Sequence, residues 1–323
     1  MTTRERLLEL MSGGREVSGE ALAGELGISR NAVWKAMARL REEGYGIEAV
    51  TNRGYRLVSV PDTLNETEIR RWLTAGTIGR EMEIHGLIDS TNIRAKALAA
   101  EGAPHGLAVI ADAQSGGRGR LGRSFFSPER GGIYLSYILR PACTPEQAAL
   151  ITSLTAVAVA RAIESVAETE VRIKWVNDLY IGGKKVCGIL SEAGMNMETG
   201  GLDYVVVGIG VNTGRTAFPP ELREIATSIG NETGTAPDRN RLIAEISNQM
   251  DRHYDMLGTG AFLEESRRRS CVIGRKVLVL EGGRQYPAVA EDIDERGRLV
   301  IRTGEGISRL GYGEVSLKIG KEE

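Results

Sequence analysis

The chain has 323 residues, of which 41 are glycine, and this share of about 13% compares with an average usage of about 7%. An apolar fraction of 41% and only 9 prolines exclude a collagen-like or disordered Gly/Pro chain. With 41 basic and 43 acidic residues the net charge is −2, which excludes a strongly basic nucleic-acid coat but allows a local basic patch. We therefore expect the surplus glycines at turns, or where backbone approaches a ligand.

Three scattered cysteines favour a reducing compartment, because they form neither a disulfide framework nor a zinc-binding spacing. The N-terminus is short and charged, unlike a signal peptide. The longest apolar run, near Ile151–Ala160, is too short to span a bilayer. We expect a cytoplasmic protein of two or three domains with no membrane partner.

The first 60 residues predict three short helices followed by a β-hairpin. Ser18 and Ser29 are placed to cap the second and third helices, and Gly27 supplies the turn between them. Turn residues at Thr51–Gly54 lie in the middle of a predicted hairpin over Gly46–Val58. This is the spacing of a helix-turn-helix followed by a wing.

The third helix is basic, because the segment from Ile28 to Arg41 contains four cations and no acid. A recognition helix presents its N-terminal end to base edges and its cations to phosphates. We therefore predict DNA binding, and we expect Trp34 to pack rather than to stack on bases. The alternative is a small helical domain with a solvated basic face. The residues predicted to contact DNA are Ser18, Ser29, Arg30, Asn31, Lys35, Arg39 and Arg53.

Residues from about 65 to 270 alternate predicted strands and helices. The predicted strands are Met82–Ile88, Leu107–Ala113, Ile133–Leu139, Val171–Trp175, Val186–Leu190 and Tyr204–Gly210. The two long predicted helices are Pro145–Val166 and Asp238–Leu257. Several strands follow one another without a helix, which favours a mixed α+β sheet over a doubly wound parallel sheet. The glycine-rich residues 272–320 predict a small β-barrel.

A loop of glycines and arginines gives the strongest site signal. It follows the predicted strand Leu107–Ala113, and its sequence over Gln114–Arg123 is QSGGRGRLGR. Glycines allow backbone N–H groups to turn toward an anion, and arginines add charge-assisted hydrogen bonds. Neither a Walker A pattern nor a G-x-G-x-x-G that opens a helix is present. The loop predicts a site for a polyphosphate or an acyl phosphate, and the alternative is a disordered surface loop.

Two further clusters accompany this loop. The sequence DSTN at Asp89–Asn92 ends a strand and opens a helix, where Ser, Thr and Asn are ordinary N-caps. The second cluster is KWVNDLY at Lys174–Tyr180, in which Asn177 and Asp178 are typical of a turn. Lys185 then enters an apolar strand, where a partly buried ammonium needs an anionic partner.

Taken in this order, the clusters resemble the biotin protein ligases of the kind that also repress the biotin operon. The matching segments are DSTN at Asp89–Asn92, GRGRLGR at Gly117–Arg123, KWVNDLY at Lys174–Tyr180 with its following lysine, GIGVN at Gly208–Asn212 and GEVSLK at Gly313–Lys318. The resemblance covers essentially the whole chain. It implies a winged helix-turn-helix domain over residues 1–62, a class II synthetase-like catalytic domain with a mixed α/β sheet over 63–271, and an SH3-like β-barrel over 272–323.

The resemblance implies an ATP-dependent biotin–[acetyl-CoA-carboxylase] ligase. In such a ligase the biotin carboxylate attacks the α-phosphate of ATP in the presence of Mg²⁺, and biotinyl-5′-AMP forms. A lysine of the biotin carboxyl carrier protein then accepts the biotinyl group. The family also implies a repressor that binds operator DNA as a homodimer promoted by the adenylate. The alternatives are a lipoate-type ligase, a biotin-sensing transcription factor without turnover, and a ligase with a vestigial helix-turn-helix.

The resemblance also implies roles for individual residues. Those implied for biotin binding are Ser90, Thr91, Asn92, Gln114, Arg118, Gly119, Arg120 and Lys185. Those implied for ATP or adenylate binding are Gly117, Arg118, Arg120, Arg123, Lys174, Asn177, Lys185 and Asn212. The implied catalytic residues are Arg120 and Lys185, and no metal ligand is assigned.

The sequence departs from the family pattern at two positions. Phe125 stands where some relatives carry Trp after the arginine loop, so we expect aromatic packing on biotin to be retained. Val176 replaces the usual Pro of the KWPND pattern. This second change is expected to loosen the approach to Asn177 without removing a reacting group.

Overall fold

A computed structural model describes residues 3–11, 14–50, 53–59, 61–195, 201–282, 284–311 and the backbone of 316–319. The chain divides into two compact units, Met1–Thr63 and Leu64–Glu323. One continuous hydrophobic core within the second unit extends from Ile69 to Leu310 and includes Val272, at the predicted boundary between residues 271 and 272. The predicted domain boundaries therefore stay predictions.

The first unit contains a helix-turn-helix followed by an antiparallel hairpin. Its elements are α1 (Thr3–Leu10), α2 (Gly19–Leu26), α3 (Arg30–Glu42), β1 (Gly46–Val50) and β2 (Gly54–Ser59). The hydroxyl of Ser18 accepts the Ala21 N–H at 3.1 Å, and that of Ser29 accepts the Ala32 N–H at 3.2 Å. Gly27 adopts the left-handed conformation that ends α2, with φ 64°. The predicted elements are confirmed, while Thr51 and Asn52 of the predicted turn lie outside the described residues.

Apolar side chains from all three helices form the core of this unit. Leu22 of α2 and the residues Val33, Met37 and Leu40 of α3 are buried together with Leu7 of α1. Because these α3 residues recur at helical spacing, one face of the helix is committed to the core. The opposite face, which carries the basic residues, is left at the surface.

The second unit is built on a seven-stranded mixed sheet. Its strands are β3 (Met82–Ile88), β4 (Ala108–Gln114), β5 (Gly132–Leu139), β6 (Arg172–Lys174), β7 (Asp178–Ile181), β8 (Lys184–Met195) and β9 (Leu202–Asn212). The order across the sheet is β3-β4-β5-β9-β8-β7-β6. The β3–β4 pair is parallel and the other neighbouring pairs are antiparallel, which confirms the predicted mixed sheet.

The helices of this unit are α4 (Glu66–Trp72), α5 (Thr91–Ala100), α6 (Pro145–Ala167), α7 (Ile229–Thr233), α8 (Arg239–Tyr254) and α9 (Phe262–Arg269). Thr144 caps α6 in a capping box with Gln147. With 23 residues, α6 is long and apolar enough to cross a membrane. The helix is thus longer than the apolar run near Ile151–Ala160, which had been judged too short to span a bilayer. It is mostly buried in the core beneath the sheet, as expected of the central helix of a globular domain.

The segment around Asp178 differs in part from the prediction. Asn177 lies in the turn that joins β6 to β7, as expected, but Asp178 begins β7. A second turn lies at Gly182 and Gly183, both with positive φ. The hairpin β7–β8 can reverse there because glycine accepts such φ values without strain. A polar residue at the start of a strand gives no alternation signal, which explains the error.

A small antiparallel sheet completes the second unit. Its strands are β10 (Lys276–Glu281), β11 (Arg284–Ile293), β12 (Leu299–Thr303), β13 (Gly306–Leu310) and β14 (Ser316–Ile319), in the order β13-β12-β11-β10-β14. This is the small all-β region predicted for the C-terminus. Residues 313–315 of its GEVSLK motif lie outside the described residues. The Trp175 indole N–H donates to the Gly297 carbonyl at 3.0 Å and joins this sheet to the larger one.

Two glycines of the N-terminal unit should respond in opposite ways to alanine. Gly27→Ala should destabilise this unit by about 1 kcal/mol, because a Cβ is disfavoured at positive φ. Gly24→Ala, within α2 and with open space around its Cβ, should stabilise it by about 0.5–1 kcal/mol. Amide hydrogen exchange of α2 and α3 in the full chain measures both effects, and equal shifts would contradict this description of the turn.

Candidate functional site

Two adjoining pockets lie where β4, β8 and β9 meet the start of α5 and the arginine loop, residues 115–123. The inner pocket has a volume of about 450 Å³ including its open mouth, and the outer pocket about 1300 Å³. The predicted residues that line the inner pocket are Ser90, Thr91, Asn92, Gln114, Arg118, Gly119, Arg120, Asn177 and Lys185. Those that line the outer pocket are Gly119, Arg120, Arg123, Lys174, Asn177, Lys185 and Asn212.

Glycines of β9 form the floor of the inner pocket. A Cβ on Gly208 would lie 1.9 Å from Asn92 Oδ1, and a Cβ on Gly210 would lie 2.6 Å from Phe125 Cε1. Because glycine has no Cβ, the Asn92 amide can pack directly on the backbone of Gly208, and the Phe125 ring on that of Gly210. At these two positions the close approach that we expected of a ligand is therefore made by side chains of the protein.

A hydrogen-bonded chain fixes the polar wall of the pocket. Gln114 Oε1 accepts from the backbone N–H of Thr91 at 2.9 Å and from its hydroxyl at 3.2 Å. The Gln114 amide in turn donates to Ser127 Oγ at 3.0 Å. Ser136 Oγ lies within hydrogen-bond distance of Thr91 Oγ1, at 2.8 Å, and of Asn92 Oδ1, at 2.7 Å. These contacts hold the side chains of α5 and β4 in place before any ligand binds.

Asn92 is oriented from both ends of its amide. Its Nδ2 donates to Glu192 Oε2 at 2.9 Å and to the Leu190 carbonyl at 3.3 Å, while Ser136 contacts its Oδ1. Burial alone would raise the pKa of Glu192, but hydrogen bonds from Lys96 and Asn92 hold it below its usual value. Glu192 is therefore a carboxylate that accepts from both partners.

Ser136 and Glu192 were not predicted as site residues. The signal for Ser136 was a hydroxyl in the middle of the otherwise apolar strand β5, which is buried along its whole length. A buried hydroxyl needs hydrogen-bond partners, and this requirement points to a polar site beside it. Glu192 left no comparable signal, because it lies in the less buried half of β8.

Ser90 is at the N-cap position of α5, but its side chain makes no capping hydrogen bond. Its hydroxyl is buried and lines the inner pocket. The Ser90 backbone N–H instead donates to the Asp89 carboxylate at 2.6 Å. The ordinary N-cap interpretation is therefore wrong for Ser90.

Backbone hydrogen bonds order the arginine loop. The Gly119 N–H donates to the Arg123 carbonyl at 2.7 Å, and the Phe125 N–H donates to the Gly117 carbonyl at 2.9 Å. The Gly116 N–H reaches the Asp89 carbonyl at 2.8 Å. Gly117 lines neither pocket. It packs against the loop itself, since a Cβ there would lie 2.5 Å from the Phe125 carbonyl oxygen and from the Ser127 hydroxyl. The loop is thus a folded segment rather than a disordered one.

Arg120 and Lys185 line both pockets and form a cationic junction between them. Arg120 Nη1 donates to Asn177 Oδ1 at 2.9 Å, and Lys185 Nζ lies 2.7 Å from Asp178 Oδ1. The Asp178 carboxylate is therefore the anionic partner that the sequence required for Lys185. Burial lowers the pKa of Arg120, opposed by the Asp178 charge, but arginine has so high an ordinary pKa that it stays protonated.

The outer pocket combines further polar groups with an apolar wall. Burial lowers the pKa of Lys174, whose Nζ donates to the Tyr180 hydroxyl at 3.4 Å. Asn212 Nδ2 donates to the Thr227 carbonyl at 2.9 Å, and Asn212 also lines this pocket. Phe218, Leu222, Ile225 and Ala226 line the opposite wall. These four residues were not predicted, because they belong to a segment without a recognisable motif.

The peptide bond between Trp175 and Val176 is cis, and both side chains are buried. Asn177 follows directly and its Nδ2 donates to the Ile189 carbonyl at 3.1 Å and to Asp178 Oδ1 at 3.0 Å. With the hydrogen bond that Arg120 donates to its Oδ1, the Asn177 side chain has three hydrogen bonds. The expected loosening by valine at position 176 stays a prediction. Within the described parts of the chain, no group of three or more His, Cys, Asp or Glu side chains could hold a metal ion.

In the first unit, every residue predicted to contact DNA is exposed. The hydroxyls of Ser18 and Ser29 are engaged as helix caps. Arg39 lies 3.4 Å from Glu43, and Arg53 lies 3.2 Å from Glu16. The expectation for Trp34 was wrong, because this side chain is 57% exposed rather than packed.

Comparisons with known proteins divide the chain in the same order. Residues 86–212 match the biotin/lipoate A/B protein ligase family, residues 3–56 match an HTH domain, and residues 272–318 match the biotin protein ligase C terminal domain. The bifunctional ligase/repressor BirA of Bacillus subtilis is 38% identical over 98% of this chain and 99% of its own length. BirA of Escherichia coli is 30% identical over 97% of this chain and 96% of its own.

A solved structure of the biotin protein ligase from Aquifex aeolicus, in complex with biotin and ATP, aligns with a TM-score of 0.64. It is 29% identical, and the alignment covers 75% of this chain and all of the other. Together with the full-length matches to both BirA proteins, this similarity gives the class of the fold and of the site. The chain belongs to the family of bifunctional biotin protein ligase/repressors.

The close packing on the glycines of β9 can be tested by adding a single methyl group at one of them. Gly208→Ala should lower the free energy of unfolding by about 1–3 kcal/mol, because its Cβ overlaps Asn92 and the surrounding core is already packed. Gly86→Ala, in β3 with open space around its Cβ, is the control and should change the free energy much less. Urea unfolding of the second unit measures the free energy of unfolding of both variants. Equal losses would show that Asn92 does not need a glycine at position 208.

Proposed function

We propose that this protein is an ATP-dependent biotin protein ligase and a biotin-responsive DNA-binding repressor. It forms biotinyl-5′-AMP and transfers biotin to a lysine of the biotin carboxyl carrier protein of acetyl-CoA carboxylase. The observation that carries this proposal is that Arg120 and Lys185 stand between a polar inner pocket and a larger outer one. Such a junction suits a reaction that joins two anions, because the cations offset the repulsion between them.

The inner pocket is suited to biotin. Biotin has a polar ureido ring at one end, and the hydrogen-bonding groups of Ser90, Thr91 and Gln114 are present at the pocket wall. The Phe125 ring lies on the glycine floor and provides an apolar surface for the rest of the bicyclic ring. Most polar groups of this wall already have fixed positions, so little ordering is needed when biotin binds.

The outer pocket is suited to the nucleotide. Its apolar wall of Phe218, Leu222 and Ile225 offers a surface for a base. Arg123, Lys174 and Asn212 place cations and a hydrogen-bonding amide around the same space for the ribose and the phosphates. The size difference between the pockets fits a nucleotide that is larger than biotin.

In the first step, a biotin carboxylate oxygen attacks the α-phosphorus of ATP. A bond forms between the carboxylate oxygen and the α-phosphorus. The bond from this phosphorus to the oxygen that bridges to the β-phosphate breaks, and pyrophosphate leaves. Arg120 and Lys185 offset the charge that accumulates on the phosphate oxygens. When these anions arrive, Lys185 exchanges part of its interaction with Asp178 for the substrate oxygens.

In the second step, the carrier lysine amine attacks the acyl carbon of biotinyl-5′-AMP, and AMP leaves. The arginine loop covers the junction between the pockets and excludes water from the mixed anhydride until the lysine arrives. Mg²⁺ bound to the ATP phosphates would neutralise charge on the leaving pyrophosphate.

The N-terminal unit binds operator DNA through the N-terminal end of α3, with Arg30 and Asn31 at the base edges. Lys35, Arg39 and Arg53 contact phosphates. The protein acts as a homodimer that the adenylate promotes, in the cytoplasm. The DNA contacts are supported by the exposure of the basic residues and by the HTH match over residues 3–56.

The direct test is ATP-dependent transfer of labelled biotin to a carrier domain. The full chain should label the carrier lysine with biotin and not with lipoate, and should release pyrophosphate. Transfer of lipoate in place of biotin would favour the lipoate-type alternative. Tight biotin binding without transfer would favour a sensor without turnover.

Arg120→Gly should release biotinyl-5′-AMP early, because the loop loses the cation that holds the phosphate. The released adenylate would then label lysines on unrelated proteins. Lys185→Ala should instead lower the rate of adenylate formation. Both are measured by adenylate retention on gel filtration and by biotin blots of an added bystander protein.

Arg130→Gly is the matched control for these variants, since Arg130 is exposed and lines neither pocket. It should keep wild-type retention and labelling. Unchanged retention and kinetics in both Arg120→Gly and Lys185→Ala would contradict the proposed junction.

Deletion of residues 1–60 should abolish operator binding and leave biotin transfer in place. The second compact unit begins at Leu64, and its hydrophobic core contains no residue of the deleted segment. Gel-shift titration of operator DNA and the carrier-labelling assay measure the two activities on one preparation. Operator binding as tight as that of the full chain would show that the N-terminal unit is misassigned.

A further inference from the structure

The exposed face of α3 carries an apolar side chain in the middle of its polar residues. The Trp34 side chain is 57% exposed, so more than half of the indole surface is accessible to a partner of this helix. Resting on the proposed repressor function, we propose that the Trp34 indole contacts thymine methyl groups in the major groove of the operator. It would then add sequence recognition to the hydrogen bonds of Arg30 and Asn31.

Helical geometry places Trp34 within the proposed DNA-contacting surface. In a helix of 3.6 residues per turn, positions 30, 31, 34, 35 and 38 form one stripe. The buried residues Val33, Met37 and Leu40 form the opposite face. Trp34 is therefore one turn beyond Arg30 and Asn31, at the point where a helix in the major groove is still close to base edges.

The neighbours of Trp34 favour a nucleic acid as the occupant of this surface. Arg30 and Lys35 flank it, both are exposed, and α3 has no acidic residue before its last turn. Ala38 follows on the same stripe with a small side chain, which allows the duplex to approach the helix closely. A phosphate backbone complements such cations, whereas an acid-free basic rim around the indole offers nothing to a basic or apolar protein partner.

The chemistry of the major groove specifies which base the indole would recognise. Among the four bases, thymine alone presents a methyl group there, and apolar side chains discriminate it by direct contact. An indole cannot reproduce the bidentate hydrogen bonds that arginine and asparagine make to purines, because it has a single N–H donor. Its contribution to recognition is therefore apolar and directed at thymine.

The test is a cycle that removes the methyl group and the indole separately. Full-length protein, supplied with biotin and ATP, first selects an operator from random duplexes. Each thymine is then replaced in turn by uracil, which removes only the C5 methyl. Wild-type protein should lose about fourfold in affinity at one or more positions, the loss expected for one apolar carbon. Trp34→Ala should bind the thymine operator more weakly and should lose nothing further on the same replacement.

Two controls separate this contact from other effects. Trp72→Ala removes a part-exposed indole of the second unit, so it should keep the wild-type response to uracil. Trp34→Ala should leave the salt dependence of binding unchanged, whereas Lys35→Ala should lower its slope by about one. Thermal unfolding of Trp34→Ala should match wild type, because the side chain is not part of the core.

Uracil replacements that weaken wild type and Trp34→Ala equally at every position would overturn the proposal. So would unchanged operator binding by Trp34→Ala. If the full chain selects no operator, or selects one that the deletion of residues 1–60 binds equally well, the repressor function itself fails. That result is distinct from a failure of the Trp34 contact, in which operator binding persists without a methyl-dependent coupling.

Discussion

The close packing of side chains on the glycines of β9 is the constraint on which the rest of the site depends. Gly208 and Gly210 have no room for a Cβ, and the Asn92 amide and the Phe125 ring occupy that space. The start of α5 and Phe125, two residues after the arginine loop, are thereby brought onto the same strand. With both segments fixed there, the polar wall and the loop face each other across the inner pocket.

This arrangement places the charges where the proposed chemistry needs them. The loop brings Arg120 to Asn177, directly before β7, and Asn177 Oδ1 accepts its hydrogen bond. Asp178, the first residue of β7, pairs with Lys185 near the start of β8. Without a ligand, each cation has a polar or anionic partner, so the junction is stable although it is partly buried. An arriving carboxylate or phosphate competes for these contacts, and the cost of desolvating the cations has already been met during folding.

Much of the fold could be predicted from the sequence, and the site could be predicted in part. Hydrophobic periodicity located the long strands and the helix α6, and the Gly27 turn with its serine caps located the helix-turn-helix. Asp178 was placed in a turn because a polar first residue gives no strand pattern. Ser136, Glu192 and the wall around Phe218 join the site through tertiary contacts between distant segments, which no local motif reports.

The prediction for Trp34 failed for a related reason. An aromatic residue in a short amphipathic helix is most often part of the core, and only the positions of Val33 and Met37 show which face is buried. On the other side of the helix the same residue becomes a surface feature. There it lies beside the exposed cations Arg30 and Lys35, on the surface that we propose to contact DNA.

The central claim is that biotin and the nucleotide occupy the two pockets and meet between Arg120 and Lys185. A crystal structure of the full chain with bound biotinyl-5′-AMP tests it most directly. The account predicts the ureido ring beside Thr91 and Gln114, the phosphate within hydrogen-bond distance of Arg120 and Lys185, and the adenine against Phe218. An adenylate bound with its phosphate away from both cations, or with its rings in the opposite pockets, would contradict it.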